Sequence, residues 1–282
     1  MTRYDRLMGT RLPHVRHVYG HRDTILYALG TGAGSPPHCD AERCLVHEPG
    51  LVALPSMAVT LAVPGFWYRD AGLGLDHGQV VHAAERITLS GPLPTAGEVH
   101  AQARIVAIHD KGPGRGSLIV SRREILDAAG RRLAVVEQTA FCRGDGGLGG
   151  PMVAPPAPEP LPQRQPDRVE TVPTDPRAAL IYRLSGDPNP LHVEPAAARL
   201  AGFPRPVLHG LATYGHVCRV LMRRRGFRGV LRRLECRFTG PVFPGEALRL
   251  EVWTDASCEH FRARVDDRRV IDNGMAVFDD PP

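Results

Sequence analysis

Lysine is almost absent from this chain of 282 residues, whereas arginine is abundant. Arginine and lysine together number 35, and Lys111 is the only lysine, so the other 34 are arginines. Because the two side chains differ in shape and hydration, a single retained lysine can mark a position that needs a compact ammonium group. The alternative is that Lys111 has been retained by chance. The net charge of +5 suits an anionic ligand. The basic residues are scattered without an aromatic-rich stripe, which argues against nucleic-acid binding.

Long apolar runs are also missing. No segment approaches the roughly 20 apolar residues that a membrane helix needs, and no apolar stretch follows the N-terminus as it does in a signal peptide. The last residues, 278–282, are not a peroxisomal Ser-Lys-Leu address. We therefore expect no membrane association and a cytoplasmic location.

The six cysteines have no C-x-x-C spacing, which argues against a zinc ribbon. In a cytosolic chain we expect them to be reduced thiols. Cys39 and Cys44 are the pair for which a metal or redox site stays open.

One segment divides the sequence in two. Residues 144–150 contain five glycines and residues 151–166 contain seven prolines, a composition typical of a semi-extended linker. We therefore predict an N-terminal domain over 1–143, a linker over 144–170 and a C-terminal domain over 171–282.

The two halves resemble each other weakly. Each contains a strand pattern, a Gly-Pro turn, a Gly-Glu pair and a second strand pattern. The Gly-Pro turns begin at Gly91 and Gly240, 149 positions apart, which is close to half the chain. Turn composition can produce part of this match, but a duplication explains it better.

Alternation and β-branched content predict strands in both halves. They cover about 80–89, 98–109, 117–126 and 133–142 in the first half, and 230–239, 247–254, 259–265 and 270–278 in the second. Short turns between them indicate antiparallel hairpins. The fold class expected is α+β, with an antiparallel sheet curled around a buried helix in each half.

Helix signals are fewer than strand signals. Residues 211–225 place apolar side chains on one face and end in three arginines followed by Gly226. A second helix is predicted over 176–184, led by Pro176. In the first half, Asp23 can cap a helix through Leu29, and Pro55 can open a short one through Ala62.

The densest chemical pattern is Y-R-L-S-G-D-P-N-P-L-H, which contains Asp187 and ends at His192. Pro188 and Pro190 forbid a helix between these two residues, so the segment must be a stiffened loop that holds a carboxylate and an imidazole. Asn189 can hydrogen-bond between them. The alternative is an ordinary cap and turn, with the same side chains bonding the backbone.

A glycine at the start of the strongest helix adds to this pattern. Gly210 follows R-P-V-L-H and opens the helix, where its N–H faces outward at the positive end of the helix dipole. Such a group can donate to an oxygen that becomes negative during a reaction. Helix caps also use glycine for structural reasons alone.

Together these residues carry a family resemblance. The Asp187–His192 segment, with Ala198 and the stretch A-G-F-P-R-P-V-L-H-G-L-A-T-Y-G from Ala201, resembles the (R)-specific, MaoC-like enoyl-CoA hydratases, and especially the hydratase part of peroxisomal multifunctional enzymes. First-half motifs resemble it too: Y-A-L-G-T-G-A from Tyr27, L-P-S from Leu54, D-H-G from Asp76, G-P-L-P from Gly91 and D-K-G from Asp110. The resemblance covers nearly the whole chain.

The resemblance implies two hotdog folds and one active site, in the C-terminal half. It implies that Asp187 and His192 orient and deprotonate water with support from Asn189, and that Gly210 donates to the thioester oxygen. It implies substrate or CoA contacts at His77, Gly78, Lys111, Ser185 and Phe238. The family usually has His-Gly-Glu-Gln where this chain has His77-Gly78-Gln79, which puts that local contact in doubt. The N-terminal half is then a non-catalytic domain that binds the acyl-CoA.

The reaction implied is (R)-specific hydration of a trans-2-enoyl-CoA to a (3R)-3-hydroxyacyl-CoA, reversibly, in acyl-CoA metabolism. No cofactor is expected, and the chemistry needs no metal, although Asp187, His192 and His209 leave a metal site open. A homodimer is expected by analogy.

Three alternatives remain to this reaction. The chain could be a hotdog acyl-CoA thioesterase or a non-catalytic acyl-CoA-binding subunit. It could also hydrate a special substrate, such as a steroid side-chain or dicarboxylic enoyl-CoA. The sequence leaves open the acyl length and the division of acid and base roles between Asp187 and His192.

Overall fold

Ten antiparallel strands form a single sheet. The computed structural model describes residues 1–35, 40–255 and 258–279. Five strands belong to the first half: β1 (Arg11–Tyr19), β2 (Val80–Leu89), β3 (Gly97–Asp110), β4 (Ser117–Asp127) and β5 (Arg132–Cys142). Five belong to the second: β6 (Arg168–Pro173), β7 (Leu231–Phe238), β8 (Ala247–Thr254), β9 (Cys258–Val265) and β10 (Arg268–Phe278).

The strand order reveals the duplication directly. Across the sheet it runs β1-β3-β4-β5-β2-β7-β10-β9-β8-β6, so the two halves have the same order read in opposite directions. The corresponding strands β2 and β7 pair in the middle, with Arg86 opposite Glu235 near the centre of the repeat. The predicted repeat is therefore a structural one, and each half is a hotdog fold within an α+β protein.

All eight predicted strands are present, with ends that differ by at most two residues from the prediction. Two further strands, β1 and β6, lie at the opposite edges of the sheet. Strand β1 lacks apolar alternation because two histidines and two arginines fall within it, and most of its side chains are not buried. Strand β6 begins at Arg168, so regular structure starts within the last three residues of the predicted linker.

In the part of the chain that the structure describes, five α-helices accompany the sheet: α1 (Arg3–Met8), α2 (His21–Gly30), α3 (Ala178–Tyr182), α4 (Pro195–Leu200) and α5 (Gly210–Arg223). Helix α5 is the longest, and eleven of its fourteen residues are buried. The Tyr214 hydroxyl donates to the Leu234 carbonyl of β7 across 2.7 Å. This bond ties the helix to the central strand of its own half.

Helices α2 and α5 touch at a glycine. A Cβ atom on Gly215 would lie 2.3 Å from Thr31 Cγ2 and 3.0 Å from the Tyr27 hydroxyl, so only hydrogen fits there. This contact joins the two halves above the sheet. Apolar side chains from both halves accordingly form one continuous core.

Three helix predictions need correction. Helix α2 begins at His21, and its N-cap is Gly20; Asp23 stands at the third position and accepts from the Gly20 N–H at 2.8 Å. The helix predicted over 176–184 is the short α3 followed by a 3-10 turn, Arg183–Ser185. The segment after Pro55 is a 3-10 helix, Pro55–Thr60, rather than an α-helix.

The last correction matters for the shape of the first half. In chain order, Pro55–Thr60 stands before β2 as α5 stands before β7. A 3-10 helix of six residues is about 12 Å long, whereas an α-helix of fourteen residues is about 21 Å. At this position in the chain order, the helix of the first half is therefore shorter than that of the second half.

Within the described ranges, none of the helices is long and apolar enough to cross a bilayer. Cys44, Cys142, Cys218, Cys236 and Cys258 are free thiols, as expected. Cys39 lies outside the described residues, and so does the possible Cys39–Cys44 pair.

One buried ion pair fastens the first half to α5. The Glu42 carboxylate is fully buried and binds the Arg219 guanidinium, whose Nε also donates to the Thr31 carbonyl at 2.9 Å. Arg223 reaches the same carboxylate at 3.4 Å. Removing one partner of a buried pair leaves an uncompensated charge, which costs more than the pair itself contributes.

We therefore expect Glu42→Ala to lower the free energy of unfolding by about 3–5 kcal/mol. The matched control is Glu98→Ala, which breaks the exposed Arg16–Glu98 pair and should cost about 1 kcal/mol or less. Urea denaturation of both variants measures the difference. Equal losses in the two variants would contradict the role given to Glu42.

Candidate active site

The loop after α3 is shaped by two successive side-chain turns. Gly186 adopts a φ of +111°, a conformation that strongly favours glycine, and ends the preceding 3-10 turn. Asp187 Oδ1 then accepts from the Asn189 N–H at 3.2 Å, and Asn189 Oδ1 accepts from the Leu191 N–H at 3.1 Å. The cap-and-turn interpretation is thus correct for the backbone of this loop. The other carboxylate oxygen, Asp187 Oδ2, takes no part in the hydrogen bonds of these two turns.

His192 is fixed at the end of the same loop. Its Nδ1 lies 2.8 Å from the Val207 carbonyl oxygen, which can only accept, so Nδ1 carries the proton. The side chain is 9% exposed. Burial lowers the pKa of His192, against a smaller opposing effect of that hydrogen bond. The neutral imidazole therefore presents an unprotonated Nε2.

Asp187 and His192 face each other. Asp187 Oδ2 and His192 Nε2 are 4.0 Å apart, too far for a direct hydrogen bond. The carboxylate is about half exposed, with 47% of its side chain accessible, so it meets both solvent and the buried imidazole. Two proton acceptors therefore flank one small space.

A second imidazole stacks on the first. The ring centroids of His209 and His192 are 3.6 Å apart, and the planes differ by 26°. His209 Nε2 lies 3.2 Å from the Asp187 main-chain oxygen and donates to it. Burial, followed by the neighbouring His192, lowers the pKa of His209 to about 3. The uncharged His209 ring thus contacts both the loop of Asp187 and the ring of His192, and it helps to fix their relative position.

Helix α5 begins immediately beyond this pair. Gly210 is its first residue, so its N–H is one of those for which the helix offers no carbonyl four residues earlier. A Cβ at this position would lie 3.4 Å from the Phe238 ring. Phe238 in turn contacts His82 of the first half, with ring centroids 4.7 Å apart.

A cavity of about 800 Å³ unites these groups. Six of the predicted site residues line it: Asp187, His192, Asn189, Gly210, Ser185 and Phe238. The Ser185 hydroxyl is buried there without a hydrogen-bond partner among the described residues. The structure therefore brings these six residues together at one cavity, and their catalytic and substrate-binding roles stay predictions.

The three remaining predicted residues lie outside that lining. His77 and Gly78 form a 3-10 turn, His77–Gln79, whose last carbonyl accepts from the Arg143 N–H at 3.2 Å. Arg143 itself lines the cavity. Lys111 Nζ lies 4.0 Å from the Phe141 ring centroid. Their contacts with the CoA ester stay predictions.

Sequence reasoning did not anticipate three polar residues that line the cavity: His82, Glu85 and His209. His82 and Glu85 of β2 line the same cavity, and His82 Nε2 is 2.8 Å from Glu85 Oε2. It also gave His209 no role beyond a possible metal ligand. Both His192 and His209 are visible in the sequence, but the stacking of their rings depends on tertiary packing.

The possible metal site also lies at this cluster. Asp187, His192 and His209 can each bring one ligand atom within 4.8 Å of the others. His192 Nδ1 and His209 Nε2 are both engaged with carbonyl oxygens, which leaves one nitrogen on each ring. We still expect the hydration reaction to need no metal ion.

Comparison with known proteins matches both halves. Residues 158–273 fit the family model described as a MaoC like domain, and residues 17–144 fit that of the MFE-2 hydratase 2 N-terminal domain. The chain is 39% identical over 271 residues to 3-hydroxyacyl-thioester dehydratase Y of Mycobacterium tuberculosis, covering 91% of this chain and 92% of that protein. It is 36% identical over 258 residues to enoyl-CoA hydratase ChsH3 of the same organism, covering 89% of each.

A solved structure agrees with these relatives. A MaoC-like dehydratase from Phytophthora capsici superposes with a TM-score of 0.84 at 26% identity, covering 99% of both chains. The chain therefore belongs to the MaoC-like family of hydratases and dehydratases, in the two-domain form that carries a hydratase 2 N-terminal domain. The resemblance inferred from the sequence is confirmed.

The lowered pKa of His192 gives a pH prediction. A base works in its deprotonated form, and a lowered pKa keeps that form populated at pH values below the ordinary 6.5. The acidic limb of kcat/KM should therefore fall below pH 6.5, measured with an enoyl-CoA whose hydration is followed by absorbance. Titration of the His192 ring nitrogens by NMR, assigned by loss of the signals in His192→Ala, gives the same midpoint directly. A midpoint above 6.5 would contradict the buried, neutral imidazole.

Proposed function

We propose that this protein is a hydro-lyase that adds water reversibly to a trans-2-enoyl-CoA and forms a (3R)-3-hydroxyacyl-CoA. The observation that carries the proposal is the placement of two proton acceptors, Asp187 Oδ2 and His192 Nε2, 4.0 Å apart in the cavity that also contains the start of α5. Membership of the hydratase family and the relatives' names support the same reaction.

The geometry suits the capture of one water molecule. Water has two hydrogens, and each can be donated to one of the two acceptors, because 4.0 Å is a separation that a single bridging oxygen can span. A lone pair of that oxygen then points away from both acceptors. It is directed at whatever carbon the cavity holds opposite, which in an enoyl thioester is C3.

The start of α5 supplies the complementary group. Attack at C3 moves charge onto the thioester oxygen, and the Gly210 N–H at the positive end of the helix can stabilise that oxygen. Glycine also keeps the approach open, since a side chain at this position would lie against Phe238. The thioester is expected between the helix start and this ring.

The reaction balances without any other reactant. The water oxygen bonds to C3 while one proton passes to Asp187 or His192. The enolate-like intermediate then takes a proton at C2, and its double bond to C2 returns to the thioester carbonyl. The net change is a hydroxyl at C3 and a hydrogen at C2. Asp187 and His192 interact closely, so the first proton transfer is assigned to the pair and not to one of the two residues.

Asp187→Asn and His192→Ala test the pair. Asparagine keeps the oxygen that accepts from the Asn189 N–H but loses basicity, so the fold should persist while hydration falls. We expect each variant to lower kcat for crotonyl-CoA by about a hundred- to ten-thousand-fold, as loss of a general base does. Absorbance of the conjugated thioester measures the rate, and chiral chromatography of the product gives its stereochemistry.

Asp267→Asn is the matched control, because Asp267 lies exposed in the turn between β9 and β10. It should keep full activity, and all three variants should keep the circular dichroism spectrum of the parent. Full activity in Asp187→Asn or in His192→Ala would refute the assignment.

A thioesterase is the second candidate, because a hotdog cavity that binds an acyl-CoA could also hydrolyse it. The same pair could in principle activate water toward the thioester carbon. Release of free CoA, measured with a thiol reagent, separates the reactions, since hydration leaves the thioester intact. Ligand binding without either product would indicate an acyl-CoA-binding subunit.

We also propose that two chains form a homodimer, as two-hotdog chains generally do. Sedimentation velocity should then give about twice the chain mass of 30.7 kDa. A species at the mass of one chain at micromolar concentration would contradict the dimer.

A further inference from the structure

A cluster of metal-binding side chains lies outside the active site, at the hairpin between β8 and β9. Asp255, Cys258 and His260 each bring one donor atom within 4.8 Å of the other two. None of the three lines the active-site cavity. The cluster combines a carboxylate, a thiol and an imidazole, which are the side chains that bind zinc in proteins. Any role of this cluster is therefore separate from the hydration proposed above.

The hairpin explains why the three side chains meet. The Asp255 N–H donates to the Cys258 carbonyl at 2.9 Å, so these two residues lie opposite each other where β8 ends and β9 begins. Opposite residues of an antiparallel pair point to the same face of the sheet, and so do residues two apart in one strand. Cys258 and His260 are two apart in β9. The backbone therefore directs all three side chains to one face.

This face is the outer one, and part of the linker covers it. Phe261, the next residue of β9, points to the opposite face and belongs to the core. Trp253 lies opposite His260 in the ladder and donates through Nε1 to the carbonyl of Arg164, a linker residue, at 2.7 Å. His260 is accordingly only 7% exposed. Cys258 is partly buried and Asp255 is exposed, so the cluster is open to solvent on one side.

The separations between the donor atoms fit a single bound ion. Cys258 Sγ lies 3.3 Å from His260 Nε2, and Asp255 Oδ2 lies 3.5 Å from the same nitrogen. Zinc bonds are about 2.3 Å to sulfur and about 2.0–2.2 Å to nitrogen and oxygen, so tetrahedral ligands are about 3.4–3.6 Å apart. Two of the three separations therefore agree with a tetrahedral ion to within about 0.3 Å.

Both close contacts of His260 use the same ring nitrogen. The other nitrogen, Nδ1, is buried without a hydrogen-bond partner among the described residues. In a nucleophilic triad, the nucleophile and the carboxylate bond to opposite nitrogens of the imidazole. Here Cys258 and Asp255 converge on Nε2, which is an arrangement of ligands around an ion and not that of a triad.

The local charge favours a cation, although the chain as a whole is basic. Burial raises the pKa of the Cys258 thiol, and nearby negative charges raise it further. Those charges belong to Asp255, Glu159 and Glu259. Carboxylates that oppose a thiolate anion attract a dipositive ion, which displaces the thiol proton when it binds. Asp255 Oδ1 lies 3.4 Å from Arg164 Nη2, which leaves Oδ2 as the ligand oxygen.

We propose that Asp255, Cys258 and His260 form a binding site for one zinc ion, which they hold through Oδ2, Sγ and Nε2, with the fourth position open to water. One thiolate and one carboxylate neutralise the ion. It joins the end of β8 to the start of β9 beside the linker, so its role is structural. It takes no part in hydration, because none of its ligands reaches the active-site cavity.

The experiment uses cobalt as the probe, because a thiolate ligand gives Co²⁺ an intense charge-transfer absorption that nitrogen and oxygen ligands alone do not. The full chain is stripped of metal with a chelator, kept reduced and titrated with cobalt chloride. We expect the thiolate band to saturate at one equivalent per chain and to disappear when Zn²⁺ is added. Zinc should also raise the Tm of the stripped protein, since it binds the folded state.

Two variants locate the ion. Cys258→Ser should remove the thiolate band and lower the affinity for zinc, measured by calorimetry, by about a hundredfold or more, since loss of an outer partner alone costs about ten- to a hundredfold. Asp255→Asn should keep the band and lower the affinity by about tenfold or more. Both should hydrate crotonyl-CoA as the parent does. Cys44→Ser is the matched control, because Cys44 is a partly buried free thiol outside the cluster, and it should bind cobalt as the parent does.

Three results would overturn the site. Absence of the thiolate band at saturating cobalt would mean that the thiol and the imidazole share only a hydrogen bond. A band that survives in Cys258→Ser and is lost in Cys44→Ser would assign the ion to the other thiol. Zinc binding that is unchanged in Cys258→Ser and lost in His209→Ala would assign it to the active-site cluster, which has no thiol. If Cys258→Ser fails to fold, Asp255→Asn decides, since Asp255 is exposed.

Discussion

Five residues of β2 pair with five residues of β7 across the middle of the sheet, and the placement of the site follows from this ladder. It fuses two copies of one strand arrangement into a continuous surface and brings His82 of the first half against Phe238 of the second. Gly210 lies next to the same ring. Without this pairing the cavity would open where the two halves meet, and Asp187 and His192 would have no wall opposite them.

The chemistry at the site depends on keeping imidazoles uncharged in a buried place. The Val207 carbonyl selects the tautomer of His192, and the stacked His209 excludes solvent from one face of its ring. Burial lowers the pKa of both histidines, so neither adds a positive charge beside the other. Asp187 remains partly exposed. Two proton acceptors, the half-exposed Asp187 and the buried His192, therefore lie near the first residue of α5.

Duplication followed by divergence explains why the halves differ in what they hold. The second half has the long α5, whose first residue lines the cavity, whereas in the first half the segment that begins at Pro55 is a short 3-10 helix. The shorter helix leaves room over β4 and β5, and the cavity occupies that side. The second half thus lines the cavity with Asp187, His192 and Gly210, and the first half lines it with residues of β2, β4 and β5. The polar residues of that wall belong to strands that also carry the core.

Eight of the strands and the repeat were predictable from the sequence, and so was the loop that holds Asp187 and His192, because alternation, Gly-Pro turns and prolines are local signals. Strands β1 and β6 were missed, because edge strands need little apolar alternation, and the helix after Pro55 was predicted too long. Three contacts became known from the folded chain: His209 stacks on His192, His82 meets Phe238, and Arg123 and Tyr68 line the same cavity as Asp187. These contacts join residues far apart in the chain, and nothing in a local pattern fixes which inward-facing side chains of different strands come together.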